Sequence, residues 1–301
     1  MEIVVEPDRR TWEDAAAAAP FWPLQQDWDY GLAARWQGSP VLRLLAREDG
    51  RAGAAMQLVG RRWFGIAETW LALRGPVSLD GGGAAIDAVL SKLPRGLLRA
   101  CLLAPECAAG PANEASWHGR RRIYTGHSCA LVDLAGADEA ALRARMKQKW
   151  RNRLAAAERG PLRTETAAQG KWIDWIVDRY EAVRREKGFE GPSRAFVARL
   201  AGLKAPRQTL AVVAHSGRET VAGALFVRHG PDASYYVAAS SPEGRRANAA
   251  NLVLWRGLVA LKAAGVRRVD LGTIDTDRSP GLARFKLGAG AEPLTLAGTY
   301  L

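Results

Sequence analysis

The sequence predicts a mixed α/β (α+β) protein made of two successive domains, each a mixed central sheet flanked by helices. Three observations carry this expectation. The chain has 301 residues, room for two domains of about 150 each. Short apolar runs bounded by glycine, proline or charged turns alternate with helix-period segments, and both halves run helices first and strands after. Hydrophobic residues make up 48% of the chain, ample for ordinary cores, and none of their runs is long enough for a membrane span.

In the first half a helix holding Trp28 and Tyr30 precedes predicted strands at Val41–Ala46, Ala54–Val59 and Thr69–Leu73. Asp49-Gly50 joins the first two as a hairpin, because glycine tolerates the positive φ of a tight turn. A helix over Ala84–Leu93 and strands at Leu98–Leu103 and Ser128–Val132 follow, and a boundary near Gly136 divides the chain into domains 1–135 and 136–301. The second half gives strands at Thr209–Ala214, Val221–Arg228 and Ser234–Ala239, a helix over Arg246–Ala264 and a strand at Arg268–Leu271.

Between the halves, the segment from Leu142 to Leu154 predicts one continuous helix capped by Asp138. Leu142, Met146, Trp150 and Leu154 form its apolar stripe, with Arg143, Lys147 and Arg151 on one flank and Arg145, Lys149 and Arg153 on the other. Such a helix is either a phosphate-binding ridge or a solvated face with snorkelling cations.

The formal net charge of +12 favours polyanionic partners: a tRNA, a nucleotide-linked precursor, coenzyme A or an anionic membrane face. Cys101, Cys107 and Cys129 lack the spacing of a disulfide framework or a zinc knuckle, and the four histidines lack that of a metal site. The first residues carry acids before any base and no long apolar run, so neither a signal peptide nor an anchor is expected and the expected location is cytoplasmic.

Four segments are candidates for chemistry. Ser240–Ala250 takes a strand through a polar turn into a helix, where free N–H groups together with Arg245, Arg246 and Asn248 make an anion site. Lys286 lies on an apolar segment followed by glycines, where an ammonium in a partly dry site stabilises an oxyanion or a phosphate. Asp270 reads as tying its own loop, whereas Asp275 is a candidate base. Alternation turns one of Tyr235 and Tyr236 toward the site without choosing between them, and Tyr236 is carried as the candidate.

These C-terminal segments resemble the acyl-donor half of the GNAT acyltransferase fold, and more narrowly the Fem family of aminoacyl transferases. The resemblance also takes in the segments Pro23–Gly31, Arg74–Val77, Lys149–Leu154, Lys187–Phe189 and Gly281–Lys286. It implies tandem GNAT-like domains, the first on the acceptor side with Trp28, Tyr30, Arg35 and Arg74, the second on the donor side. There Lys286 is catalytic with Tyr236 and Asp275, and Arg245, Arg246, Asn248, Lys147, Lys149, Arg151 and Arg153 hold donor phosphates. It also implies that no cofactor is permanently bound: aminoacyl-tRNA is the donor, and a small amine or a nucleotide-linked peptidoglycan precursor the acceptor. An acyl-CoA donor is the alternative, and a non-catalytic polyanion-binding protein the second.

The chain departs from the family in three places. Leu32-Ala33-Ala34 precede Arg35 where muropeptide-binding members often carry a lysine. The glycine-rich coenzyme A loop of the type Q/R-x-x-G-x-G/A is absent around Gly244, and no helical hairpin is inserted in the second domain.

Overall fold

The computed structural model describes residues 1–301 and divides them into two compact units. The first comprises Met1–Ser128, His229–Pro231 and Leu294–Leu301; the second comprises Cys129–Arg228 and Asp232–Pro293. A cut into residues 1–135 and 136–301 therefore leaves the chain's end with the wrong partner, because the strand Gly298–Tyr300 pairs with Arg99–Ala104 and Arg120–Thr125.

The first unit is built on a nine-stranded sheet ordered Glu2–Val5, Val41–Glu48, Arg51–Trp63, Ala67–Leu73, Arg99–Ala104, Gly298–Tyr300, Arg120–Thr125 and Ser116–Trp117, with Val77–Ser78 pairing beside Arg51–Trp63. It is mixed: Ala67–Leu73 runs parallel to Arg99–Ala104, and Val41–Glu48 and Arg51–Trp63 form the expected hairpin. Both turn residues take positive φ, Asp49 at 48° and Gly50 at 78°, the geometry that matches strand twist in a two-residue turn. Period-two alternation sends Leu44, Ala46 and Met56 to one core with the helix Gly83–Ser91, and Leu45 and Ala55 to another with Trp12 and Trp22. The helix Trp28–Trp36 is present as expected, but a strand at Glu2–Val5 and a helix at Arg9–Ala18 precede it.

The second unit carries a seven-stranded mixed sheet ordered Leu162–Ala167, Thr209–Ser216, Glu219–His229, Asp232–Ser240, Arg268–Ile274, Ser128–Asp133 and Glu292–Thr295. One face buries Val212, Ala224 and Phe226 against Trp150, Leu154, Leu254 and Trp255 of the helices Gln148–Arg159 and Ala249–Ala263. The helix Lys171–Lys187 packs on Thr209–Ser216 and Asp232–Ser240.

Two helices differ from expectation. The segment predicted as continuous over Leu142–Leu154 is two helices, Glu139–Arg145 and Gln148–Arg159, because Met146 and Lys147 are extended at ψ 144° and 146°. Its apolar stripe is nonetheless buried, Leu142, Met146, Trp150 and Leu154 all lying in one core. The break is fixed from afar, since the freed Lys147 N–H donates to the Gly288 carbonyl at 3.0 Å. The helix expected over Arg246–Ala264 runs Ala249–Ala263, and a short helix that was not expected, Pro242–Arg246, precedes it with Asn248 left-handed at φ 55° between them.

Candidate functional site

The parallel strands Asp232–Ser240 and Arg268–Ile274 pair in register at Ala233 with Val269 and at Ser234 with Asp270. Just past that point Gly272 adopts φ 80°, a conformation that costs glycine little and strains other residues. The Lys286 ammonium sits against this bend. It donates to the Thr273 carbonyl at 2.7 Å, and a methyl group at Gly272 would lie 3.4 Å from it.

The helix Pro280–Gly288 delivers this lysine. Proline at its first turn is tolerated because the missing N–H has no intrahelical partner there. Ala283 and Lys286, three residues apart, share the buried face, while Leu282 is exposed. Phe285 lies 6.0 Å from the Trp150 ring, so the residue beside the lysine is anchored on the helix Gln148–Arg159. Lys286 is only 7% exposed, and burial lowers its pKa to about 8 against the opposing pull of Asp270 and Cys129. Asp270 is also buried and accepts the Gly272 N–H at 2.6 Å, which holds the bend beneath the ammonium.

Other donor-side candidates are placed differently. Asp275 accepts the Asp277 and Arg278 N–H groups at 3.0 and 2.7 Å, so its carboxylate is engaged in its own turn. Tyr235 faces the core, 5.4 Å from the Phe226 ring, and burial raises its pKa. Tyr236, its neighbour on the strand, is half-buried. Gly244 is enclosed within the short helix, where a side chain would run into the Val221 carbonyl, so it offers no open approach to a phosphate.

The cations expected to line one helix are divided between two, and only some of them are engaged by the protein itself. Arg143 pairs with Glu158, Arg145 donates to the Asp133 carbonyl at 2.9 Å, and Arg151 donates to the carbonyls of Ala144 and Met146. The helix break accounts for Arg151, whose two acceptors are carbonyls at the end of the helix Glu139–Arg145 and at the break itself. Lys147, Lys149 and Arg153 remain exposed, as do Arg245 and Arg246. Asn248 serves the junction between its two helices, its carbonyl accepting the Asn251 N–H at 3.0 Å.

A cavity of about 190 Å³ that the sequence did not suggest lies between the helix Lys171–Lys187 and the end of Asp232–Ser240. Trp175 and Val183 supply apolar wall, and Arg179, Lys187 and Arg245 supply cations. The Ser240 Oγ beside it is buried without a partner, and Arg245 donates to the Ser240 carbonyl at 2.8 Å. The available signal was the spacing Trp175, Arg179 and Val183, an i, i+4, i+8 row apart from the core row of Ile173, Ile176, Val177 and Tyr180.

In the first unit the acceptor-side candidates are held by partners. Arg74 is buried and makes a two-pronged ion pair with Glu106. Arg35 bonds Glu6 at 2.8 Å and the Val41 carbonyl at 2.9 Å. The Tyr30 phenol is raised to about 12 by burial. Trp28 stacks on the guanidinium of Arg43 at 3.7 Å. Arg43, a residue the sequence reading passed over, is fully buried, donates to Gln57 Oε1 at 2.8 Å and to the Trp28 carbonyl at 3.0 Å, and is lowered to about 10 by burial and by Arg35.

The sequence matches the family described as "Acetyltransferase (GNAT) domain" over residues 141–293. No curated protein matches it. Among solved structures it is similar to "Crystal structure of FemX", with a TM-score of 0.84 at 13% identity over 100% of this chain and 96% of that one. It is also similar to the "Tandem GNAT protein from the clavulanic acid biosynthesis pathway", with a TM-score of 0.55 at 16% identity over 99% and 98% of the two chains. L-PGS from Bacillus licheniformis gives 0.56 at 15% identity over 97% and 91%. At such identities the likeness is one of fold, and the fold is the Fem-type tandem GNAT arrangement.

Proposed function

The chain belongs to the GNAT acetyltransferase domain family and is an acyltransferase, and from that premise we propose that it moves an aminoacyl group from aminoacyl-tRNA to an amine, either on a peptidoglycan precursor or on another small acceptor. The observation that carries this reading is the Lys286 ammonium, buried at the bend of Gly272 and held by the Thr273 carbonyl. The reaction needs little more from the protein. The amine nitrogen attacks the ester carbonyl carbon, a C–N bond forms, the C–O bond to the ribose breaks, the amine gives up a proton and the ribose oxygen takes one. A buried ammonium directed at the carbonyl oxygen stabilises the charge that develops there, an effect worth about 10²–10³ in rate for one donor.

The choice of tRNA over coenzyme A rests on the Ser241–Asn248 segment, where the short helix and the enclosed Gly244 stand in place of a glycine-rich phosphate loop. The acyl-CoA reading draws on one observation: the parallel register between Asp232–Ser240 and Arg268–Ile274 stops at Ser234 and Asp270, so the strand ends beyond are not paired with each other.

Incubating the protein with tRNA charged with labelled amino acids, or with labelled acetyl-CoA, and a set of amines separates the two. Label passing from tRNA to amine is expected. Label passing only from acetyl-CoA would replace this reading with the second.

A further inference from the structure

The three most exposed large apolar side chains, Leu97, Phe64 and Ile66, lie on two neighbouring loops of the first unit. One is the turn Trp63-Phe64-Gly65-Ile66 between the strands Arg51–Trp63 and Ala67–Leu73, where Phe64 is 96% and Ile66 74% exposed. The other is the entry to the strand Arg99–Ala104, where Leu97 is 101% and Leu98 52% exposed. The loops are braced as one platform. The Glu68 N–H donates to the Leu98 carbonyl at 2.9 Å, and the Glu68 carboxylate binds Arg62 at 3.3 Å and Arg99 at 3.0 Å.

Scattered exposed apolar residues are ordinary, but four on adjoining loops at one end of a sheet mark a surface that something covers. The charge around them indicates what. Arg61, Arg62, Lys92, Arg95 and Arg99 are all exposed, and Glu68 is the one acid within residues 61–68 and 92–99. Arg61 lies 4.1 Å over the Trp63 ring, which sets an aromatic and a cation at the same level beneath the tip. A protein-binding interface is depleted of charge at its core. Apolar tips collared by five exposed cations against one acid instead match the layering of an anionic bilayer surface, with acyl chains outermost to the tip and phosphates around its base.

We propose that this platform docks the protein on an anionic lipid bilayer, with Phe64, Ile66, Leu97 and Leu98 entering the acyl-chain boundary and Arg61, Lys92 and Arg95, none of them paired with Glu68, facing headgroup phosphates. No helix is long and apolar enough to cross a membrane, and the proposed attachment, made by four side chains and a collar of cations, is peripheral and reversible. It uses none of the residues around Lys286, so it stands or falls separately from the acyl-transfer reading.

Co-sedimentation with vesicles of phosphatidylcholine alone and of phosphatidylcholine mixed with phosphatidylglycerol tests this. The protein is expected to sediment with the mixed vesicles and to be released by salt. Because burial of one phenylalanine or leucine is worth at least about tenfold in partitioning, the pair Phe64→Ser and Leu97→Ser should cut the vesicle-bound fraction by that factor or more, with an unchanged melting temperature. The pair Arg61→Glu and Arg95→Glu should abolish binding, whereas Arg207→Glu with Arg218→Glu, an equal charge change on exposed residues of the second unit, should leave it intact. Equal loss in the Arg207/Arg218 pair would reduce the effect to net charge and overturn the proposal. So would undiminished binding of the serine pair, or failure of the wild type to bind mixed vesicles, which would leave the platform to a protein partner.

Discussion

Two buried cations, Arg74 of the first unit and Lys286 of the second, are treated in opposite ways. In the first, Arg74 is closed off by the two-pronged carboxylate of Glu106. In the second, Lys286 donates to a carbonyl, and Asp270 offsets its burial only in part, which leaves its pKa near 8. A cation neutralised by a bidentate carboxylate holds a fold together. One whose charge is opposed by its surroundings is poised to answer a charge that appears during reaction. On this contrast we read Arg74 as scaffold and propose the chemistry for Lys286, although the resemblance had placed substrate contacts in both units.

The largest effect expected in testing this contrast is on stability. Arg74→Ala leaves Glu106 buried without its partner and should cost about 3–5 kcal/mol by denaturant titration, whereas Arg74→Met with Glu106→Leu should recover most of that. A rise in acceptor KM with stability unchanged would instead make Arg74 a substrate contact and erase the contrast.

Next is Trp150, which anchors Phe285 beside the lysine. Trp150→Ala should cost about 3–5 kcal/mol and lower kcat more than KM, because the helix bearing Lys286 loses its seat. Unchanged kcat in the folded variant would show that the helix is positioned by other contacts.

The smallest expected effect lies on the surface. Lys149→Ala with Arg153→Ala should alter stability by less than about 0.5 kcal/mol yet raise KM for charged tRNA severalfold, and should reduce the salt slope of binding by about 1 per residue. An unaltered slope would leave these exposed cations as solvated side chains.

Local signals were legible in the sequence and distant pairings were not. Asp49-Gly50 marked its hairpin because the turn conformation is a property of those two residues. Lys286 stood out because it sits among Phe285, Leu287 and glycines, where the alternative was a solvated lysine at a helix end. The break at Met146–Lys147 was hidden because the apolar stripe keeps helical spacing across it, and the break depends on the carbonyl of Gly288. Nothing local joins Arg74 to Glu106, or the strand Gly298–Tyr300 to Arg99–Ala104. Arg145 and Arg151 could not be told from Lys149 and Arg153 for the same reason, since an arginine bound to a carbonyl and a cation open to a phosphate share a sequence pattern.

The most direct test of the central claim is the pH profile of acyl transfer by the wild type and by Lys286→Ala. The ammonium form prevails in the folded protein below about 8, against an ordinary value of 10.5. The wild-type rate at saturating donor should therefore fall as pH rises through about 8, and Lys286→Ala should lose about 10²–10³ in rate at neutral pH together with that fall. A folded Lys286→Ala variant that keeps both the wild-type rate and its pH dependence would contradict the account.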